Sequence, residues 1–202
     1  GEFFKLTGAA ADPKPIQSPH PVVINAGISP RGQQFSAQHA DVGFIAGESL
    51  EQIATNAAAF RKVARDQFDR DIVLLADVVV ACFPTDEEAR TYADYVAEKG
   101  DKIAAGNNAA IMQAHSKGWS DEQYARFMRQ FMQSYGCAQG VGSPETVARF
   151  FMDLKEAGVD GAAFSIMGHW EENLRRVTEE VVPMLEAAGL RVPHAERLRQ
   201  TA

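Results

Sequence analysis

The sequence predicts a parallel α/β fold, and three observations carry that reading. Four short apolar runs lack the alternation of a one-sided sheet, at 22–25, 41–45, 71–83 and 159–167. Helical segments fill the gaps between them and open on their own capping residues. Glycine-bearing turns stand where a run hands over to a helix.

Taken in order, residues 13–21, "PKPIQSPHP", read as an extended lead-in, because each proline disfavours helix for the residue before it. "VVIN" (22–25) is the first buried strand, followed by a helix from Pro30 to His39, and "DVGFI" (41–45) is the second strand. Ser49 with Gln52 forms a capping box ahead of Leu50, Ile53, Ala57, Phe60 and Ala64 at helical spacing. "DIVLLADVVVACF" (71–83) is the third strand, and Thr85 with Glu88 repeats the capping device ahead of Tyr92 and Val96. A helical insertion over about 104–142 follows, in which Ser120 and Gln123 cap a helix bearing Tyr124, Phe127, Met128, Phe131, Met132 and Tyr135, with the stripe Phe127, Met128, Phe131 and Met132 read as core. Ser143, Pro144 and Gly158 mark the cap, first turn and stop of the next helix. "VDGAAFSIM" (159–167) is the fourth strand, and a last helix over about 171–188 bends at Pro183.

Four β/α strands make either a small open sheet or half of an eight-stranded barrel. An open sheet places its first phosphate loop near the chain start, where this chain has a proline-rich lead-in, so the half-barrel fits better. It carries the expectation that the polypeptide begins upstream, and that exposed strand edges favour a homo-oligomer.

Composition narrows the function classes. The chain has 202 residues and a net charge of −7, with lysine and arginine scattered among acids, which argues against nucleic acid. No apolar run approaches the roughly 18 residues of a membrane span, and no signal peptide is visible, so a cytoplasmic setting is expected. Cys82 and Cys137 stand far apart and suit neither a metal site nor a disulfide framework.

The stretch "AGISPRG" (26–32) has the parts of a phosphate cradle. Gly27 and Gly32 let backbone approach an anion, Ser29 adds a hydroxyl, Arg31 adds charge, and the helix points its positive end at the same place. The plainer reading is an ordinary tight turn in which Gly27 takes an unusual dihedral and Ser29 caps the helix. At the other end of the chain, His169 and Trp170 follow the last strand, where barrel active sites lie, with Met167 before them; they are candidates for a substrate pocket, His169 and Trp170 alternatively for packing the last helix. His39 on the helix exterior and His115 in the insertion read as surface residues, and Asp77 inside an apolar strand as a hydrogen-bond acceptor.

The string "PVVINAGISPRGQQFSAQHADVGFI" resembles the luciferase-like family of flavin-dependent monooxygenases, whose members carry A-G-x-S-x-x-G-x-x-F-[AS]-A-x-x-A-D at the fifth barrel strand. Ala26, Gly27, Ser29, Gly32, Phe35, Ala37, Ala40 and Asp41 match it. "VGSPETVARFFMDLKEAGVDGAAFSIM" and "EEVVPMLEAAGLR" are similar to the family's last strand and closing helix, and the nearest likeness is to its pyrimidine, sulfone and alkanesulfonate branch. The resemblance implies the C-terminal half, about strands five to eight, of a (β/α)8 TIM barrel. It implies FMN as cofactor, reduced by a separate flavin reductase, and an O2-derived flavin peroxide that oxygenates a small organic substrate. It also implies that Ser29 contacts the FMN phosphate while Ala26, Gly27 and Gly32 supply shape and backbone donors. The usual catalytic residues belong to the half not present, so no catalytic residue is assigned and this chain alone is expected to be inactive. A deazaflavin-dependent hydride-transfer oxidoreductase and a shortened, non-catalytic flavin-binding protein are the competing readings.

Overall fold

The computed structural model describes residues 2–27, 29–113 and 120–196. Residues 2–21 run exposed and without regular secondary structure, as the prolines predict. Then follow β1 (Ile24–Asn25), α1 (Pro30–His39), β2 (Val42–Ile45), α2 (Leu50–Phe68), β3 (Val73–Cys82), α3 (Asp86–Lys99), α4 (Lys102–Gln113) and α5 (Asp121–Ser134). β4 (Ala138–Gly142), α6 (Pro144–Glu156), β5 (Gly161–Ile166), α7 (Trp170–Arg176) and α8 (Val182–Ala187) complete the order.

All pairings are parallel, and they centre on β3. In a parallel strand each residue turns its N–H and C=O to one edge and its neighbours turn theirs to the other. Val73 N–H donates to Asp41 O, and Phe83 N–H to Gly142 O, so the odd residues of β3 serve β2 and β4. Leu74 O and Val80 O accept from Asp160 and Met167 N–H, so the even residues serve β5. β2 and β4 therefore lie end to end along one edge of β3, joined where Ala138 N–H donates to Gly47 O at 2.7 Å. The five-stranded sheet occupies four lanes.

β4 is the correction to the sequence reading, which placed 138–142 inside a helical insertion. "AQGVG" is poor in apolar residues, and what makes it a strand is the open upper edge of β3. The insertion itself is helical, as α4 and α5, before β4 begins. His115 lies outside the described residues. The last helix also differs: a π-helical turn at Val177–Val181 separates α7 from α8, with Val182 N–H donating to Val177 O. Pro183 has no N–H to give the preceding turn, and the widened turn accommodates its ring.

The side-chain alternation sorts the two faces. Leu74, Ala76 and Val78 pack with Phe60 of α2 and Phe150 and Leu154 of α6. Val73 and Asp77 face the opposite side and are exposed, and Asp77 accepts a hydrogen bond from the Cys137 thiol, as the sequence reading of an acceptor expects. Higher up, Val79, Ala81 and Met167 are covered by Ala93 of α3. At the lower end, Arg61 donates to Ile72 O, Gly158 O and Asp160, and Asp160 accepts from Leu74 N–H. Burial pushes the Asp160 carboxyl up, but the Leu74 N–H and the Arg61 guanidinium outweigh it and hold the group below its ordinary value. At the upper end, Asn173, buried, accepts from Cys82 N–H at 2.6 Å and donates to His169 O. Cys82, pushed up to about 11 chiefly by burial and against the pull of Arg176, is a packed thiol.

Two predictions follow from the packing. A Cβ at Gly43 would run into the buried Phe60 ring, so Gly43→Ala lowers stability by about 1–3 kcal/mol in urea unfolding; an unchanged midpoint would show that the ring does not seat on this glycine. Asp86, at the start of α3, accepts from Ser143 N–H at 2.7 Å and Thr146 Oγ at 2.8 Å and so ties two helix starts together. The Ser143 N–H first, and the Thr146 hydroxyl with it, hold its carboxyl below the ordinary value. Its contribution is present above the unfolded value of about 3.9 and is lost as pH falls through the lower folded one. The wild type should melt above Asp86→Asn at pH 7, and the gap should close below about pH 4.

Candidate functional site

Everything with chemistry to offer gathers at the C-terminal ends of the strands. The turn 26–32 is built from its glycines. Gly27 and Gly32 lie backbone against backbone, and a Cβ on either would come within 2.8 Å of the other's Cα. The glycines thus bring the strand end onto the first turn of α1. Asn25 Oδ1 accepts from Gly27 N–H at 2.8 Å and from the buried Ser36 hydroxyl at 2.6 Å. Ser29 is the N-cap, its Oγ accepting from Gly32 N–H at 3.1 Å.

Of the donors in this turn, the Gly27 and Gly32 N–H groups are thus engaged within the protein. Their side of the cradle is shape. The Ser29 hydroxyl proton and the Arg31 N–H have no acceptor among the described residues, and the exposed Arg31 guanidinium has no ion pair there. A cation in the first turn opposes the helix dipole, so α1 carries unneutralised positive potential at this end. Ala26 is exposed beside it.

Next to the cradle is a cavity of about 380 Å³. Gln33 of α1 forms one side, Phe44 and the 45–48 loop its floor, Gln52 and Asn56 of α2 a second side, and Phe127, Tyr135 and Cys137 its cover. Here the aromatic stripe of α5 departs from the core role read in the sequence. Phe127 and Phe131 stack at 5.4 Å and Phe131 meets Tyr135 edge-on at 5.6 Å, but the stripe is half-buried and Tyr135 exposed. α5 packs against α3 and α4, and from its apolar side Phe127, with Tyr135 just beyond the helix, reaches the cavity. Burial first, and Asp77 second, push the Cys137 thiol above its ordinary value. A larger cavity of about 500 Å³ lies beside the start of β5, between α6 and α8, away from the strand C-termini.

The second group of candidates is divided. Met167 is packed under α3 and offers no surface to a ligand. Trp170 is exposed. His169 sits at φ 38° after Gly168 at φ 60°, and its ring lies 4.9 Å from Tyr92 and 6.3 Å from Phe83. Tyr92 and Phe83 were missed in the sequence; their only signal was position just beyond and one turn into the segment after β3. Among the described residues no cluster could hold a metal ion, and no helix is long and apolar enough to cross a membrane.

The profile of luciferase-like monooxygenases matches residues 1–161. An FMNH2-dependent dimethylsulfone monooxygenase of Pseudomonas putida is 23% identical, covering 92% of this chain and 52% of its own. A pyrimidine monooxygenase, RutA of Rhizobium rhizogenes, is 29% identical over 93% of this chain and 55% of its own. The chain spans about half the length of the curated relatives it matches. Among solved structures, the long-chain alkane monooxygenase LadA superposes with a TM-score of 0.70 at 26% identity, over 87% of this chain and 43% of LadA. DmoA of Hyphomicrobium sulfonivorans gives 0.72 at 20% identity, over 94% and 46%, a likeness of fold.

The glycine contact yields a test of the cradle. Alanine at Gly32 gains about 1 kcal/mol of helix propensity, yet it must part the turn from the helix. Gly27→Ala and Gly32→Ala should both lower the thermal midpoint; a stabilised Gly32→Ala would mean the two backbones are not held in contact.

Proposed function

The chain belongs to the luciferase-like monooxygenase family, and we propose that it forms the fifth to eighth β/α units of a barrel that oxygenates a small organic substrate with reduced FMN and O2. The observation that carries the reading is the first turn of α1. It pairs a hydroxyl, at Ser29, whose proton has no acceptor among the described residues with a guanidinium, at Arg31, that has no counter-ion among them. That donor set fits a phosphate monoester.

Ser29 donates to the phosphate through its remaining O–H while Gly32 N–H keeps the Oγ in place. Arg31 and the α1 dipole supply the opposing charge. Gly27, Gly32 and Ala26 keep side chains out of the space the phosphate needs. Bound reduced FMN supplies the activation of O2, and a separate reductase supplies the reduced flavin. His169 and Trp170 stand on the same rim and form part of the wall on the substrate side, with Tyr92 and Phe83 fixing the imidazole. Among the described residues β1 pairs only with β2 and β5 only with β3, which leaves an edge on each for the further β/α units this reading requires.

Titration with FMN tests this. Flavin fluorescence should quench on binding, and Ser29→Ala and Arg31→Ala should each weaken binding about tenfold, the worth of one charge-assisted hydrogen bond. Binding unchanged in both variants would remove the phosphate from this turn. Supplied with reduced FMN and O2, the chain alone should turn over no substrate.

A further inference from the structure

The cavity of about 500 Å³ beside β5 runs as a groove along an unpaired strand. β5 is its floor and α6 and α8 its walls, with Phe151, Phe164, Leu185 and Leu190 among its apolar surface. Asp160 N–H donates to Leu74 O, so Gly161 and Ala163 turn their backbone groups away from β3. Among the described residues no strand meets them there. A small ligand would fill the groove and leave that edge bare; a strand answers both needs.

β1, at the opposite margin of the same sheet, carries the complement. Val23 turns its N–H to Asp41 and its C=O to Val42, so the backbone groups of Ile24 turn outward. Ile24 pairs with Val42 and Val42 with Val73, which puts Ile24 on the face away from the helices. Val23 therefore turns to the helix side, the side on which the groove lies. Val22, Val23, Ile24 and Phe35 of α1 are all exposed, as are Phe164 and Leu190 at the groove. The charges agree. Lys155 borders the groove with only a 3.8 Å contact to Asp160, which Arg61 already holds, while Arg191 is spent on Glu186. Asp41 stands beside Val23 with its carboxylate partly exposed, 3.9 Å from His20.

We propose that the groove seats the β1 edge of a second copy of this chain. All strands of the sheet are parallel, and a two-fold axis along them keeps the partner's strands parallel too. β1 of each copy then pairs with β5 of the other. Four lanes become eight, the number that closes a parallel barrel, and no edge is left over. The partner's Val23 enters the groove. The Ser29 cradle, which one copy holds at the far margin of the sheet from His169, comes beside the partner's His169 at the same rim. The closure rests on the barrel reading of the sheet and not on the phosphate.

Sedimentation velocity tests this, with amide exchange on the same samples. The chain should sediment as a dimer at micromolar concentration. Ile24→Lys and Leu190→Lys, each at an exposed position, should weaken the dimer about tenfold or more, because each carries a charge into a pairing edge or its groove. Ile103→Lys, at an exposed position of α4, should leave it intact. The Ile24 and Ala163 amides should exchange more slowly in the dimer than in Leu190→Lys diluted to a monomer. The proposal is overturned by a folded monomer at every concentration, by assemblies that keep growing beyond a dimer, by a dimer whose two amides stay fast, or by edge variants that associate as well as Ile103→Lys. A dimer that binds no FMN would instead remove the phosphate reading and leave the closure standing.

Discussion

The structure depends on how β3 distributes its backbone groups. Ten residues long, it outreaches any one neighbour, and no single strand satisfies either edge along its whole length. On one edge β2 and β4 share it in series; on the other β5 takes the middle, and side chains finish both ends. Asp160 accepts from Leu74 N–H below, and Asn173 accepts from Cys82 N–H above while Arg176 donates to Cys82 O. A buried N–H left without an acceptor costs about 1–3 kcal/mol, so these two side chains are as much part of the sheet as a strand would be. The rim follows from this division. Because β4 begins where β2 stops, the 45–48 loop is pinned under Ala138, and the pocket floor is fixed with it.

The cradle obeys a similar economy. The glycines of "AGISPRG" suggest backbone amides bared to an anion, yet the chain spends those amides on itself. Asn25 takes the Gly27 N–H and Ser29 takes the Gly32 N–H. Two of the turn's amides are thereby used within the protein, while the Arg31 N–H has no acceptor among the described residues. Among the described residues, the side-chain groups that local structure leaves unused are the Ser29 hydroxyl proton and the Arg31 guanidinium.

What was legible in the sequence is what local chemistry decides. Ser29, Ser49, Thr85, Ser120 and Ser143 all cap helices, because a hydroxyl and an amide three residues on need nothing else to find each other, although of the three capping boxes read only Ser120 with Gln123 makes both bonds. Apolar runs located β2, β3 and β5 for the same reason. β4 was hidden because its pairing depends on a vacant edge far away in sequence. The rim placement of the Phe127–Tyr135 stripe was hidden because a half-buried helix face and a buried one share one periodicity. The approach of His169 to Tyr92 and Phe83 depends on two positive-φ residues in succession, and only the first is a glycine. Cradle positions could be read as a motif, but which of their donors were free could not.

Cradle and pocket meet at one element. Ser29 and Gln33 are separated by one turn of α1, and the backbone N–H of Gln33 closes onto Ser29 O at 2.8 Å. An anion held at the N-cap stiffens the turn from which the Gln33 side chain projects. The pocket, in contrast, presents only neutral groups from α1 and α2, apart from Glu48, whose carboxylate repels a second anion. The two parts of the rim therefore differ in charge: positive potential stands at the N-cap, and mostly neutral side chains stand one turn further on. Because they share a helix but no hydrogen-bonding group, occupancy of the first can order the second without competing for it.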